Sequence, residues 1–123
     1  MTILKQINEL LPVAKISKTP ILTKDDILEY LSQIKPLLKK DGIKEIGLFG
    51  SYAIGEEEAN SDVDLVILAE KEFLDRLKGI DCILYFENLR EKISRDLNKS
   101  VDLVKVFSKE KLNHNILKDA IYV

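Results

Sequence analysis

Seven consecutive residues, Val63-Asp64-Leu65-Val66-Ile67-Leu68-Ala69, set the strongest limit on how this chain can fold. In an extended strand Val63, Leu65 and Ile67 fall on one face and Val66 and Leu68 on the other. A strand apolar on both faces needs protein over both. Two further runs read as strands: Ile43 to Phe49, bounded by Gly42 and Gly50, and Val101 to Phe107. Between them the period changes. Thr23 can cap a helix with apolar positions at Ile27, Leu28, Leu31, Ile34, Leu37 and Leu38. Pro36 falls inside that pattern and is expected to kink or shorten it, and Asp41-Gly42 ends it. Phe86, Leu89, Ile93 and Leu97 give a second helix. Ser108 is expected to cap a last one carrying Leu112, Ile116, Leu117, Ala120 and Ile121. This alternation predicts an α/β layered domain, a small mixed sheet packed with helices.

A chain of 123 residues with 46% apolar side chains can bury one core, and 33% charged residues does not mark it as disordered. Net charge is −2, so no basic field exists for general binding to a nucleic-acid backbone. The single cysteine, Cys82, can form no intramolecular disulfide, and no zinc-ligand spacing is present. No apolar run approaches the roughly 20 residues of a membrane span. The first residues, MTILKQINELLPVAKIS, carry charges within their apolar stretch and make a poor signal peptide. A cytoplasmic location is expected. Within residues 1–22, Ile3, Leu4, Ile7, Leu10 and Leu11 recur at helical spacing before Pro12, and a helical extension is expected there, its stripe packed on the domain or, as the alternative, against a partner or second copy.

Chemistry concentrates between Gly50 and Asp64. Gly50-Ser51 directly follow a strand. A glycine there lets the backbone approach a ligand, free N–H groups opening a helix can bind phosphate oxygens, and Ser51 adds a hydroxyl. Taken alone, the pair also fits an ordinary turn. Asp62 and Asp64 stand two apart at a strand start, so both carboxylates share a face with Cα atoms roughly 6.6 Å apart. A polar turn leading into a strand would also contain such residues. Two like charges at the mouth of a buried strand, however, are costly without a counter-ion, and Mg²⁺ suits oxygen ligands of this kind. The two halves meet at one sheet edge only if the first two strands run antiparallel. A helix then allows the third strand to lie parallel to the second, which delivers Asp102 to the same edge. Three carboxylates, a phosphate-binding turn and no basic field describe metal-dependent phosphoryl or nucleotidyl transfer. The third carboxylate can help bind a second metal or take the proton of an attacking hydroxyl.

These residues resemble those of the DNA polymerase β-type nucleotidyltransferase superfamily, and in particular the minimal nucleotidyltransferase (MNT) antitoxins of HEPN/MNT toxin–antitoxin pairs. That family carries Gly-Ser, ten residues, then Asp-x-Asp; here Gly50-Ser51 are followed by Tyr52 to Ser61 and then Asp62-Val63-Asp64. Leu48-Phe49, Ser61 and Leu65-Val66 fit the motif's flanks, Asp102 the family's third aspartate, and Ala120-Ile121-Tyr122-Val123 its usual ending. The likeness spans residues 23–123, which makes 23–123 the expected nucleotidyltransferase domain and leaves 1–22 outside it. It implies a polymerase β-type mixed sheet and Mg²⁺ held by Asp62, Asp64 and Asp102. ATP is the implied co-substrate, its phosphates on Gly50 and Ser51. The implied activity is transfer of AMP to a tyrosine of a partner HEPN ribonuclease toxin, which silences it. One departure is Ile54, where the family frequently has Arg; an isoleucine offers no guanidinium to phosphate.

The toxin's own motif, Arg followed four to six residues later by His, is missing, since no arginine precedes His114 at that distance. His114, Cys82, Tyr52 and the Glu56-Glu57-Glu58 run read as helix, core or loop residues. Two other functions compete with the adenylyltransferase. A non-catalytic module could neutralise a HEPN toxin by occlusion; Ile54 and the three glutamates leave room for it, whereas Gly50-Ser51 and the three carboxylates favour the enzyme. A small-molecule nucleotidyltransferase generally adds a second substrate-binding domain, for which 123 residues leave no space. Acceptor, nucleotide preference and oligomeric state, homomeric or heteromeric, stay open.

Overall fold

The computed structural model describes residues 22–113 and 117–123. The apolar stripe of the N-terminal segment, His114 and Ile116 lie outside the described residues.

Helix α1 (Lys24–Asp41) begins where Thr23 predicts. The Thr23 hydroxyl accepts from the Asp26 N–H and the Asp26 carboxylate accepts from the Thr23 N–H, both at 3.1 Å. This reciprocal cap stabilises the first turn by about 1 kcal/mol. Pro36 neither ends nor shortens the helix, which runs five residues further to Asp41. Pro36 and Ser32 both face solvent, so water can take up the carbonyl that proline leaves without a donor.

The chain then forms β1 (Ile43–Phe49), a short helix α2 (Gly50–Ile54), β2 (Val63–Ala69), α3 (Lys71–Arg76), α4 (Ile80–Leu97) and β3 (Val101–Val106). A 3₁₀ turn over Lys109–Asn113 and a two-residue strand β4 (Ile121–Tyr122) complete it. Sheet order is β3-β2-β1-β4. Strands β1 and β2 are antiparallel, β2 and β3 parallel, and β4 antiparallel to β1, as a mixed sheet requires. The expected final helix is therefore wrong at its end: Ile121 pairs with Leu48 in the sheet. The free edge of β1 supplies hydrogen-bond partners there. Gly47, whose Cβ would lie 2.7 Å from Tyr122 Cδ1, leaves room for the tyrosine ring. Helix α3 was not anticipated; Phe73 and Leu77 bury it.

Both faces of β2 are covered, as its sequence demands. Ile27, Leu31 and Ile34 of α1 and Leu89 and Ile93 of α4 pack with Val63, Leu65 and Ile67 in the main core. On the other face Val66 and Leu68 join Phe49, Val106 and Leu117 in a smaller cluster. Tyr30 donates to Asp96 (2.7 Å) and Tyr85 to Asp41 (2.9 Å), so α1 and α4 run antiparallel. Burial pushes the Asp41 carboxyl up, against the Tyr85 hydrogen bond and the Arg76 charge, which pull it down. Phe73, Tyr85 and Phe86 stack edge-on and tilted at centroid distances of 4.8, 5.2 and 5.5 Å. Among the described residues, no helix is long and apolar enough to cross a membrane.

Candidate active site

The two strand pairings bring the sequence-selected residues to one edge. In the β1–β2 ladder Phe49 lies opposite Asp64, so Gly50, the next residue, turns over that carboxylate. In the β2–β3 ladder Asp64 lies opposite Asp102. Paired residues on adjacent strands point to the same side, about 5 Å apart. Asp62, two residues earlier, shares the face. These carboxylates continue the face that carries Val66 and Leu68, away from α1 and α4.

Gly50 has φ +74°, and a Cβ built there would lie 2.1 Å from Asp64 Oδ2. No side chain larger than hydrogen fits between the turn and the carboxylate. The backbone of the Gly50-Ser51 turn therefore touches the acidic edge directly. Helix α2 has no side-chain cap and no acidic residue in its first turn. Its opening N–H groups stay free for an anion, beside the half-buried Ser51 hydroxyl. Buried Tyr52 and Ala53 hold α2 on the main core, whereas Ile54 points outward at 51% exposure.

Asp64 is half-buried; Asp62 and Asp102 are exposed. Burial pushes the Asp64 carboxyl up, and the negative charges of Asp102 and then Asp62 push it further. Asp64 thus sits in the field of both of its acidic neighbours. Among the described residues, no three His, Cys, Asp or Glu side chains are drawn tightly enough to hold a metal ion by themselves. An oxygen-only donor set with mutual repulsion fits a hard cation that takes one or two carboxylates and completes its shell with phosphate and water, as Mg²⁺ does. Cys82 packs against the helical core and is remote in the fold from this edge. The Glu56-Glu57-Glu58 run is exposed in the loop before β2.

One contact of this edge had no signal in the sequence. The Lys99 ammonium donates to the Ala59 carbonyl at 2.5 Å, joining the turn before β3 to the loop before β2. A lysine reaching a main-chain oxygen leaves no pattern in side-chain types.

Similarity to known proteins shows the family and the fold. The family described as polymerase beta, nucleotidyltransferase matches residues 32–123. The chain is 34% identical over 105 residues to the protein adenylyltransferase MntA of Thermococcus cleftensis, covering 84% of this chain and 98% of that protein. It is similar to a chain of a toxin–antitoxin crystallised with AMP-PNP, with TM-score 0.50 and 28% identity over 72% of this chain and 68% of that one. It shares the fold of a minimal nucleotidyltransferase, with TM-score 0.61 and 22% identity, covering 84% of this chain and 98% of that one. The matched span runs from the middle of α1 through β4 and contains the whole sheet on which the carboxylates converge: the chain belongs to the polymerase β nucleotidyltransferase family.

Proposed function

We propose that this protein transfers AMP from ATP to a hydroxyl of a partner protein, a tyrosine of a HEPN ribonuclease toxin, and so acts as its antitoxin. The observation that carries the reading is the pairing of Asp64 with Asp102 under the Gly50 turn, with Asp62 on the same face. The adenylyltransferase relative and the AMP-PNP-bound toxin–antitoxin support the nucleotide, the protein acceptor and the partner.

The roles follow from chemistry. Gly50 and Ser51 bind phosphate oxygens through N–H groups and a hydroxyl. Asp62 and Asp64, with Asp102 alongside, are the residues that would hold Mg²⁺, which neutralises phosphate charge when bound. The acceptor oxygen forms a bond to the α-phosphorus, the bond from that phosphorus to the bridging oxygen breaks, and pyrophosphate leaves. The acceptor's proton goes to the Asp102 carboxylate. Tyrosine's ordinary pKa of about 10 means that this proton must depart as attack proceeds.

The test is incubation with labelled ATP, Mg²⁺ and the co-expressed partner, followed by mass spectrometry of both chains. Wild type should add AMP to a partner tyrosine. Asp102→Asn keeps the shape but not the base, and should lose transfer about 100-fold or more while still binding the partner. Outward-facing Ile54 at the position of the family's arginine favours a second reading, occlusion without catalysis. That reading wins if Asp102→Asn neutralises the toxin in cells as wild type does and no AMP-bearing partner is found.

A further inference from the structure

Two chain segments deliver carboxylates to the sheet edge: the loop before β2 and the turn before β3. Residues 55–60 of the loop are all exposed. Its own hydrogen bonds are local. The Glu58 N–H donates to Ser61 Oγ (2.8 Å), the Ser61 N–H to the Glu58 carbonyl (3.0 Å), and the Glu56 N–H to the Ser51 carbonyl (2.9 Å). None of these reaches β3.

The turn before β3 is seated firmly. Asn98 closes α4 in a left-handed conformation with its N–H on the Ser94 carbonyl. The Lys99 N–H also donates to that carbonyl (3.2 Å), and Ser94 Oγ donates to the Lys99 carbonyl (2.6 Å). From this fixed base the Lys99 side chain reaches across to the Ala59 carbonyl.

The position of that contact matters. The parallel ladder begins at Val63 opposite Val101, and the Val63 N–H on the Ser100 carbonyl (2.9 Å) continues it one step further. Asp62 lies beyond that bond, so the ladder alone does not hold it. Ala59 precedes Asp62 by three residues, and Lys99 precedes Asp102 by three. Glu56, Glu57 and Glu58 stand exposed in the same loop, just ahead of Asp62. The Lys99 ammonium brings a positive charge to this acidic segment.

We propose that Lys99 is a positioning residue that clamps the loop before β2 to the turn before β3 and so sets Asp62, which the ladder does not hold, against Asp64 and Asp102. An exposed hydrogen bond of this kind adds little to global stability, so its effect is local. The proposal rests on the adenylyl-transfer reading for what the spacing is used for.

Lys99→Met keeps the apolar stem and removes the donors. In protein without nucleotide or metal, amide hydrogen exchange of residues 59–62 should quicken about 10-fold, while amides inside β2 and β3 stay as in wild type. Affinity for Mg–ATP should fall about 5- to 10-fold by titration, and Lys99→Arg should restore both properties. Faster exchange with unchanged Mg–ATP affinity overturns the proposal, because Lys99 is then a tether with no bearing on the site. Equal loss in Lys99→Arg and Lys99→Met also overturns it. Should the methionine variant fail to fold, Lys99→Gln is compared with Lys99→Arg for the same two shifts, and the same results decide. Failure of wild type to bind Mg–ATP refutes the functional reading instead; wild-type binding with no contrast among the variants refutes only the clamp.

Discussion

Gly50→Ala is the substitution whose effect can be worked most fully from the structure. The backbone has φ +74°, where an alanine costs about 1–2 kcal/mol relative to glycine. The new Cβ would also stand 2.1 Å from Asp64 Oδ2 and 2.9 Å from its Cγ. The carboxylate must move, at a further cost of about 1–3 kcal/mol typical of overpacking. Gly55 separates these effects. It has nearly the same φ, +76°, and nothing within 4 Å of its built Cβ. Gly55→Ala should therefore show the backbone cost alone. The difference between the two variants in urea unfolding reports the contact with Asp64, about 1–3 kcal/mol against a typical total stability of about 5–15. Adding Asp64→Ala should erase that difference, which a double-mutant cycle reads directly. Gly50→Ala should also reduce AMP transfer about 100-fold, because the displaced carboxylate no longer faces Asp102; Gly55→Ala should leave transfer within a few-fold. Equal destabilisation by Gly50→Ala and Gly55→Ala, or no coupling to Asp64, would refute the close packing of turn and carboxylate.

Asp62→Asn combined with Asp64→Asn should abolish Mg²⁺-dependent ATP binding in a protein that still melts cooperatively; an unchanged titration removes this edge as the nucleotide site. The raised Asp64 carboxyl means that the folded state keeps a proton the unfolded chain releases near pH 4, so Asp64's share of stability falls as pH rises from about 4 through its raised folded value. Asp64→Asn should remove that slope. It should also stabilise the nucleotide-free protein at pH 7 by about 1 kcal/mol, since in water Asp102 at about 5 Å repels by about 0.8 kcal/mol and Asp62 at roughly 6.6 Å by about 0.6, and salt lowers both; parallel melting curves from pH 4 to 8 would contradict it. Tyr30→Phe deletes the donor to Asp96 at the α1–α4 contact and should cost about 1 kcal/mol in urea unfolding, with transfer unaffected.

What the sequence reveals here depends on how far a feature is encoded by its own neighbours. The edges of β1 and β2 follow from apolar runs closed by glycine or by Asp62 and Glu70, and the Thr23 cap from a local hydroxyl and carboxylate. The antiparallel-then-parallel topology follows because only that arrangement gathers Gly50, Asp64 and Asp102, and the ladders bring these three residues together. Beyond Phe107 the encoding weakens. Leu112, Leu117 and Ile121 fit a helical period, yet their burial is divided between two faces of the sheet: Leu117 joins the smaller cluster, and Ile121 the main core. A single helix face cannot serve both. The chain instead crosses the edge of β1 as a two-residue strand, too short to show any period of its own. Its register depends on Gly47, more than seventy residues earlier, where a missing side chain admits the Tyr122 ring. The Lys99 contact is further still from legibility, because its acceptor is main chain and any residue at 59 would present the same carbonyl. The carboxylates that meet at the sheet edge are thus readable from spacing, whereas the Lys99 contact beside them exists only once the two loops have been folded side by side.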